Sequence, residues 1–265
     1  MARMTTGTTT ENPSIYFEDI GDGLPIVLGH SFLCNGAMWA GQVNGLADRY
    51  RLINLDFRGH GRSGPADRLF TLHDAVDDVI GVLDQLGIEK AVWCGLSIGG
   101  MVALRAAVSR PDRVDKLIIM DSDAGAERLG RRIRYRLMGF AAQRVGTGPF
   151  LNEISRLMFG ASTRRDKPEL VEEWRGIFAR VDIPSTIMCL NSLINRDSML
   201  ELLQAVDIPS LIMVGDEDVS LPPVVSMKIH NVLPNSKYVE IPKAGHLSAL
   251  EQPEFVNKAI AGFLG

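Results

Sequence analysis

The chain has 265 residues, 46% of them hydrophobic and 23% charged, and its 28 basic against 32 acidic side chains give a formal net charge of -4. That balance excludes disorder, collagen and coiled coil, and without a basic run it gives nucleic acid little to bind. The length permits one large domain or a domain carrying an insertion. The first residues, MARMTTGTTTENPS, contain no apolar leader core, so no secretory signal is expected. The charge-free run Ala91 to Leu104 falls short of the roughly 20 residues a bilayer requires, so neither a span nor a membrane partner is expected. Three cysteines, Cys34, Cys94 and Cys189, have no metal-like spacing and suit buried thiols in a reducing, cytoplasmic compartment.

Taken in chain order, Ser14 to Glu18 reads as a strand, and Gly21-Asp22-Gly23-Leu24-Pro25 turns back into the apolar run Ile26 to Leu28. Further apolar runs follow at Leu52 to Leu55, Ala91 to Cys94, Leu117 to Met120 and Leu211 to Val214, with a last strand at Tyr238 to Ile241. Runs that are apolar on both faces are what parallel strands covered on both sides need. Between them lie helical patterns. The clearest runs from Leu72 to Leu86, with Val76, Val79, Ile80 and Leu83 on one face, aspartates on the other and Gly87 at its end. This alternation predicts a doubly wound α/β sheet.

Between Asp121 and Ser210 the alternation stops for almost ninety residues, far more than a crossover needs. The expected organisation is therefore a core of residues 1–123 and 205–265, with a helical cap of residues 124–204 over the carboxyl ends of the strands. From Ala124 to Ser198 there are 13 basic and 8 acidic residues, although the whole chain is acidic. Arginines such as Arg131, Arg132, Arg134 and Arg136 then either solvate helix faces or draw in an anionic substrate.

Directly after the strand at Ala91 to Cys94 comes Gly95-Leu96-Ser97-Ile98-Gly99-Gly100, followed by a helical pattern. G-x-S-x-G between strand and helix marks a nucleophile elbow, where the turn is too sharp to admit side chains two positions from the serine. A serine hydroxyl needs a base, and the base needs an orienting acid. His246 ends a loop beyond the last strand and follows the acids in sequence; His60 lies in a turn, and His73 and His230 lie in helices. For the acid, Asp218 is placed ahead of Asp216, both being just past the strand Leu211 to Val214. The oxyanion that forms on a substrate carbonyl needs a pair of N–H donors. These are expected from Ile98, next to the nucleophile, and Phe32, in the loop Gly29-His30-Ser31-Phe32-Leu33-Cys34.

These segments together, with Asp56-Phe57-Arg58-Gly59-His60-Gly61-Arg62-Ser63 and Gly245 to Glu251, resemble the α/β-hydrolase superfamily over nearly the whole chain. The resemblance implies the α/β-hydrolase fold and favours Asp218, because Gly215, Asp218 and Pro222 match the family's G-x-x-D with a later proline. Cys94 to Met101 and His246-Leu247-Ser248 with Glu251-Gln252-Pro253 are similar to the 3-oxoadipate enol-lactonase branch and its carboxylesterase relatives. The departure is His30-Ser31 where His-Gly is common. Ser97 sets the chain apart from the aspartate-nucleophile members, Leu33 from the haloperoxidases that carry proline there, and Leu247 from carbon-carbon bond hydrolases with an aromatic at that place. The implied activity is hydrolysis of a carboxylic ester or (enol-)lactone by Ser97, His246 and Asp218 through an acyl-enzyme. The alternatives are a carbon-carbon bond hydrolase or a ligand sensor that keeps the triad.

Trp174 and Phe178, four apart, are candidates for the pocket roof, Arg175 for a substrate carboxylate, and Leu247 for the pocket wall. Gly59-His60-Gly61-Arg62-Ser63-Gly64 is a literal dinucleotide fingerprint, but Pro65 follows and no helix starts until Leu72, so it is read as a turn. No metal-ligand spacing occurs and no cofactor is expected.

Overall fold

Apolar residues on both sides of a strand demand two cores, one above and one below the sheet. The computed structural model, which describes residues 3–265, has both. Its described residues form one eight-stranded sheet of β1 (Met4–Thr8), β2 (Tyr16–Ile20), β3 (Leu24–Gly29), β4 (Tyr50–Leu55), β5 (Ala91–Leu96), β6 (Val114–Met120), β7 (Ser210–Gly215) and β8 (Ser236–Ile241). The spatial order is β1-β2-β4-β3-β5-β6-β7-β8, with β1, β2 and β4 paired antiparallel and β4 onward parallel. Alternate residues of each strand enter opposite cores, as a period of two requires. Val27, Ile53, Trp93 and Ile119 face one core, and Leu28, Leu52, Cys94 and Ile118 the other.

The helices α1 (Ala40–Leu46), α2 (Leu72–Gln85) and α3 (Ile98–Ser109) follow β3, β4 and β5. Thr71 caps α2 reciprocally with Asp74, and the buried face of Val76, Val79, Ile80 and Leu83 is the one expected. α3 is apolar but for Arg105 and Ser109 and is buried along nearly its whole length. The edge strand β1 was not anticipated. Its MTTGT sequence is exposed and lacks apolar alternation, and it forms by pairing with β2. The strand read at Ser14 to Glu18 lies two residues later, at Tyr16–Ile20.

Between β6 and β7 the described chain runs through five helices: α4 (Leu129–Val145), α5 (Leu151–Met158), α6 (Ala161–Asp166), α7 (Pro168–Phe178) and α8 (Ile183–Ile194). α4 and α8 pack antiparallel, with Gly139 against Leu190 and Ile187, and with Arg132 and Arg136 donating to Asn195 Oδ1. Where this insertion rejoins the sheet, buried arginines fasten it. Arg196 binds Asp123 and Glu127, and Arg105 of α3 binds Asp197 at 2.6 Å. After β7 come α9 (Pro223–Val232), then α10 (Ser248–Glu251) and α11 (Pro253–Leu264) beyond β8.

Candidate active site

β5 ends on Leu96 and α3 begins on Ile98, so Ser97 alone makes the turn, at φ 55° and ψ -113°. A non-glycine residue held there is strained, and its surroundings must hold it. They do so through Ser97 N donating to Met120 O (2.9 Å) and Ser122 Oγ donating to Ser97 O (2.8 Å). The flanking glycines are obligatory: a Cβ on Gly95 would lie 2.1 Å from the Gly99 carbonyl carbon, and one on Gly99 2.1 Å from Gly29 O.

The structure brings His246 and Asp218 to this turn. His246 Nε2 is 2.9 Å from Ser97 Oγ, and His246 Nδ1 is 2.8 Å from Asp218 Oδ2. Asp218 Oδ1 accepts from Ser220 N (2.8 Å) and Leu221 N (2.9 Å), which locks the carboxylate in its loop. All three side chains are buried. Asp216, the alternative acid, is exposed, and its Oδ1 meets only Ala244 N at 3.4 Å. The other histidines are occupied elsewhere. His30 accepts from Phe57 N, His60 lies against Arg58 O, His73 pairs with Asp197 and His230 with Ser236. Burial holds His30 down at about 4 and His60 at about 3, so neither carries charge at neutral pH.

Burial also opposes an imidazolium at His246, yet the charge and hydrogen bond of Asp218, with Asp121 and Glu251 behind it, outweigh burial and raise its pKa above 6.5. Asp121 and Glu251 are residues that sequence reasoning missed. Asp121 directly follows β6 at φ 46°, fully buried; its Oδ1 accepts from Gly215 N (2.8 Å) and its Oδ2 from Ser248 Oγ. It thereby ties the loop carrying Asp218 to the segment following His246. Burial and the charge of Asp218 push its carboxyl well above the usual carboxylate range. Glu251 accepts from Gly245 N and Gly160 N, both at 2.9 Å, joining the histidine loop to the helical insertion. The only signal for Asp121 in the sequence is an acid directly after an apolar strand, the same signal that marks Asp216.

Ile98 N–H, the first of α3, has no intrahelical acceptor, and among the described residues Phe32 N–H has none either. Phe32 belongs to the loop after β3, where Leu33 adopts φ 64° and Cys34 N bonds back to Ser31 O.

A cavity of about 180 Å³ opens on Ser97 and His246. Its walls are largely apolar and come from α4, α5 and α8, through residues such as Met138, Ala142, Ile154, Ile187 and Leu190. Of its charged lining, Glu127 and Arg196 pair with each other, whereas Arg131 has no acidic partner among the described residues.

The expected pocket residues require correction, since Trp174, Phe178, Arg175 and Leu247 are not on this lining. Trp174 and Phe178 stack in sequence with Phe159, with ring centroids 6.1 and 6.4 Å apart, because α7 turns its apolar face into a core shared with α5. Arg175 spends its donors on Asn152 and Ser155 of α5 and pairs with Glu172. Leu247 is fully buried, with its N–H on Met158 O. The Gly59 to Gly64 turn is structural: Asp56 accepts from both Gly36 N and Arg62 N and ties that turn to the loop after β3. The three cysteines are buried, and burial pushes their thiols up, which removes them as nucleophiles.

A family model described as alpha/beta hydrolase fold matches residues 25–253. The chain belongs to that family. It is 26% identical over 263 residues to 3-oxoadipate enol-lactonase 2 of Acinetobacter baylyi, spanning 95% of this chain and 93% of that one. Among solved structures it is similar to a thermophilic esterase from Thermogutta terrifontis, solved with malate bound, at 33% identity and a TM-score of 0.91 over 99% of this chain and 98% of that one. A bromoperoxidase from Bacillus anthracis is also similar, at 25% identity and a TM-score of 0.86 over 98% and 99% of the two chains. The chain is thus a hydrolase of the alpha/beta family, with relatives of more than one named activity.

Proposed function

We propose that this hydrolase cleaves a carboxylic ester or (enol-)lactone, with Ser97 as nucleophile, His246 as general base and Asp218 as its orienting acid. The observation that carries the reading is the unbroken chain Ser97 Oγ, His246 Nε2, His246 Nδ1 and Asp218 Oδ2, at 2.9 and 2.8 Å, beneath a largely apolar cavity. In that role His246 takes the Ser97 proton as Oγ bonds to the carbonyl carbon, and Asp218 steadies the imidazolium. The carbonyl electrons move to oxygen, and the N–H groups of Ile98 and Phe32 donate hydrogen bonds to that oxyanion; removing one such donor costs about 2.7–4 kcal/mol in other enzymes. Collapse expels the alcohol, or opens the lactone ring, with the proton returned by His246. Water then repeats the sequence on the acyl-enzyme and releases the acid.

The inserted helices of residues 124–204 act as the cap that shapes the acyl pocket. Arg131 is its one cavity-facing cation without an acidic partner among the described residues, which supports a preference for substrates with an anion on the acyl side. The test is turnover of a panel of activated esters and lactones, neutral and carboxylate-bearing, by the wild type and Ser97→Ala. Multiple turnovers of esters or lactones that vanish in the variant support the reading. Turnover only of a diketone, or a single slow hydrolysis, contradicts it.

A further inference from the structure

α4 has two faces that the hydrolytic reading does not explain equally. At 100° per residue, Arg131, Tyr135, Met138, Gly139 and Ala142 fall on one side and line the cavity. On the opposite side Leu129, Ile133, Leu137 and Phe140 fall within about 80° of one another. All four are exposed, Leu129 by 71% and Leu137 by 65%. An unpartnered apolar ridge of this extent on a monomer surface calls for an occupant.

The charge around the ridge identifies one. LGRRIRYRLMGFAAQRV carries five arginines and no acid. Arg132 and Arg136 flank the ridge on one side and Arg134 on the other, while Arg144 lies over the Phe140 ring at 3.6 Å. Among the described residues the only carboxylate that meets an α4 arginine is Glu153, and it is shared with Arg156. A second copy seated on this ridge would set arginine against arginine, which costs rather than gains energy. An apolar ridge rimmed by cations, on a helix too polar to cross a bilayer, is instead the form of a helix lying in the plane of a membrane interface.

We infer that α4 docks the protein on an anionic lipid surface, with Leu129, Ile133, Leu137 and Phe140 entering the acyl boundary and the arginines meeting lipid phosphates. The same helix walls the cavity above Ser97, so docking places that cavity beside the interface. That no single helix among the described residues is long and apolar enough to cross a bilayer has no bearing on a helix that lies flat.

Docking is read without turnover, so its failure and the failure of the hydrolytic reading are separable. The full chain, and Ser97→Ala alongside it, is sedimented with vesicles of phosphatidylcholine alone or mixed with phosphatidylglycerol. The expected result is binding about tenfold or more tighter to the mixed vesicles, weakened by salt. The double variant Ile133→Gln with Leu137→Gln, both at exposed sites, should lose about tenfold or more of that binding and keep its melting temperature and its activity on a water-soluble ester. Several results overturn the inference: no vesicle binding, equal binding to neutral vesicles, binding indifferent to the double variant, or self-association that the double variant abolishes.

Discussion

The loops at the carboxyl ends of β3, β5, β6, β7 and β8 and the helices α4, α5 and α8 meet at one cavity, yet they are built on different terms. In the loops the backbone is forced: Ser97, Asp121 and Leu33 all hold positive φ, and Gly95 and Gly99 admit no Cβ. Ser97 is held through its own N–H and carbonyl, and the Asp218 carboxylate by the N–H groups of Ser220 and Leu221. In the insertion the backbone is ordinary helix, and what matters is which side chains of α4, α5 and α8 point inward. In the proposed function the first region sets what chemistry can occur, and the second sets what is admitted to it.

The comparison can be broken first at the loops. Ser97→Ala or His246→Ala should lower kcat by up to about a millionfold, measured on an activated ester, with the fold kept by circular dichroism. Phe178→Ala tests the other region. It should cost about 3–5 kcal/mol of stability in denaturant titration, while the ranking of esters by kcat/KM stays the same, because Phe178 packs against Phe159 and Trp174 and does not reach the cavity. A changed ranking would restore it to the pocket.

Smaller effects sharpen the contrast. A Cβ at Gly139 would lie 3.0 Å from Leu190 Cδ2 and 3.1 Å from Ile187 Cδ1, side-chain ends that can yield. Gly139→Ala should therefore lower kcat/KM for bulky acyl groups by about tenfold or less and leave acetate esters unchanged. The smallest effect concerns pH. Neutral His246 is the reactive form, and its pKa is raised, so kcat/KM should fall as pH drops through a midpoint above 6.5. Asp121→Asn keeps the shape that accepts from Gly215 N and removes the charge, and should move that midpoint down by up to about one unit. An unmoved midpoint would mean that Asp121 only ties loops together.

The same division explains what could be read from the sequence. The positions of Ser97, Asp218 and His246 were legible because each sits at a strand end with a distinctive neighbour pattern, and the parallel pairing of β3 to β7 followed from runs apolar on both faces. β1 was not legible, since an exposed threonine-rich edge strand has no apolar alternation. Trp174 and Phe178 were misplaced because helical spacing shows that a face is apolar and not which neighbour it meets; α7 gave its face to the core and α4 gave its inner face to the cavity. Asp121 and Glu251 act through contacts from distant segments, which an acid directly after an apolar strand does not reveal for Asp121 and no local pattern reveals for Glu251.

The central claim is that Ser97 is acylated with His246 as its base, and it is tested most directly by quenching the enzyme in acid during turnover of p-nitrophenyl acetate and mapping the acetyl group by peptide mass. An acetyl group on the peptide containing Ser97, absent in Ser97→Ala and strongly slowed in His246→Ala, is the predicted result. Turnover with no acyl group on Ser97 under conditions that trap one, or with the group on another residue, would contradict it.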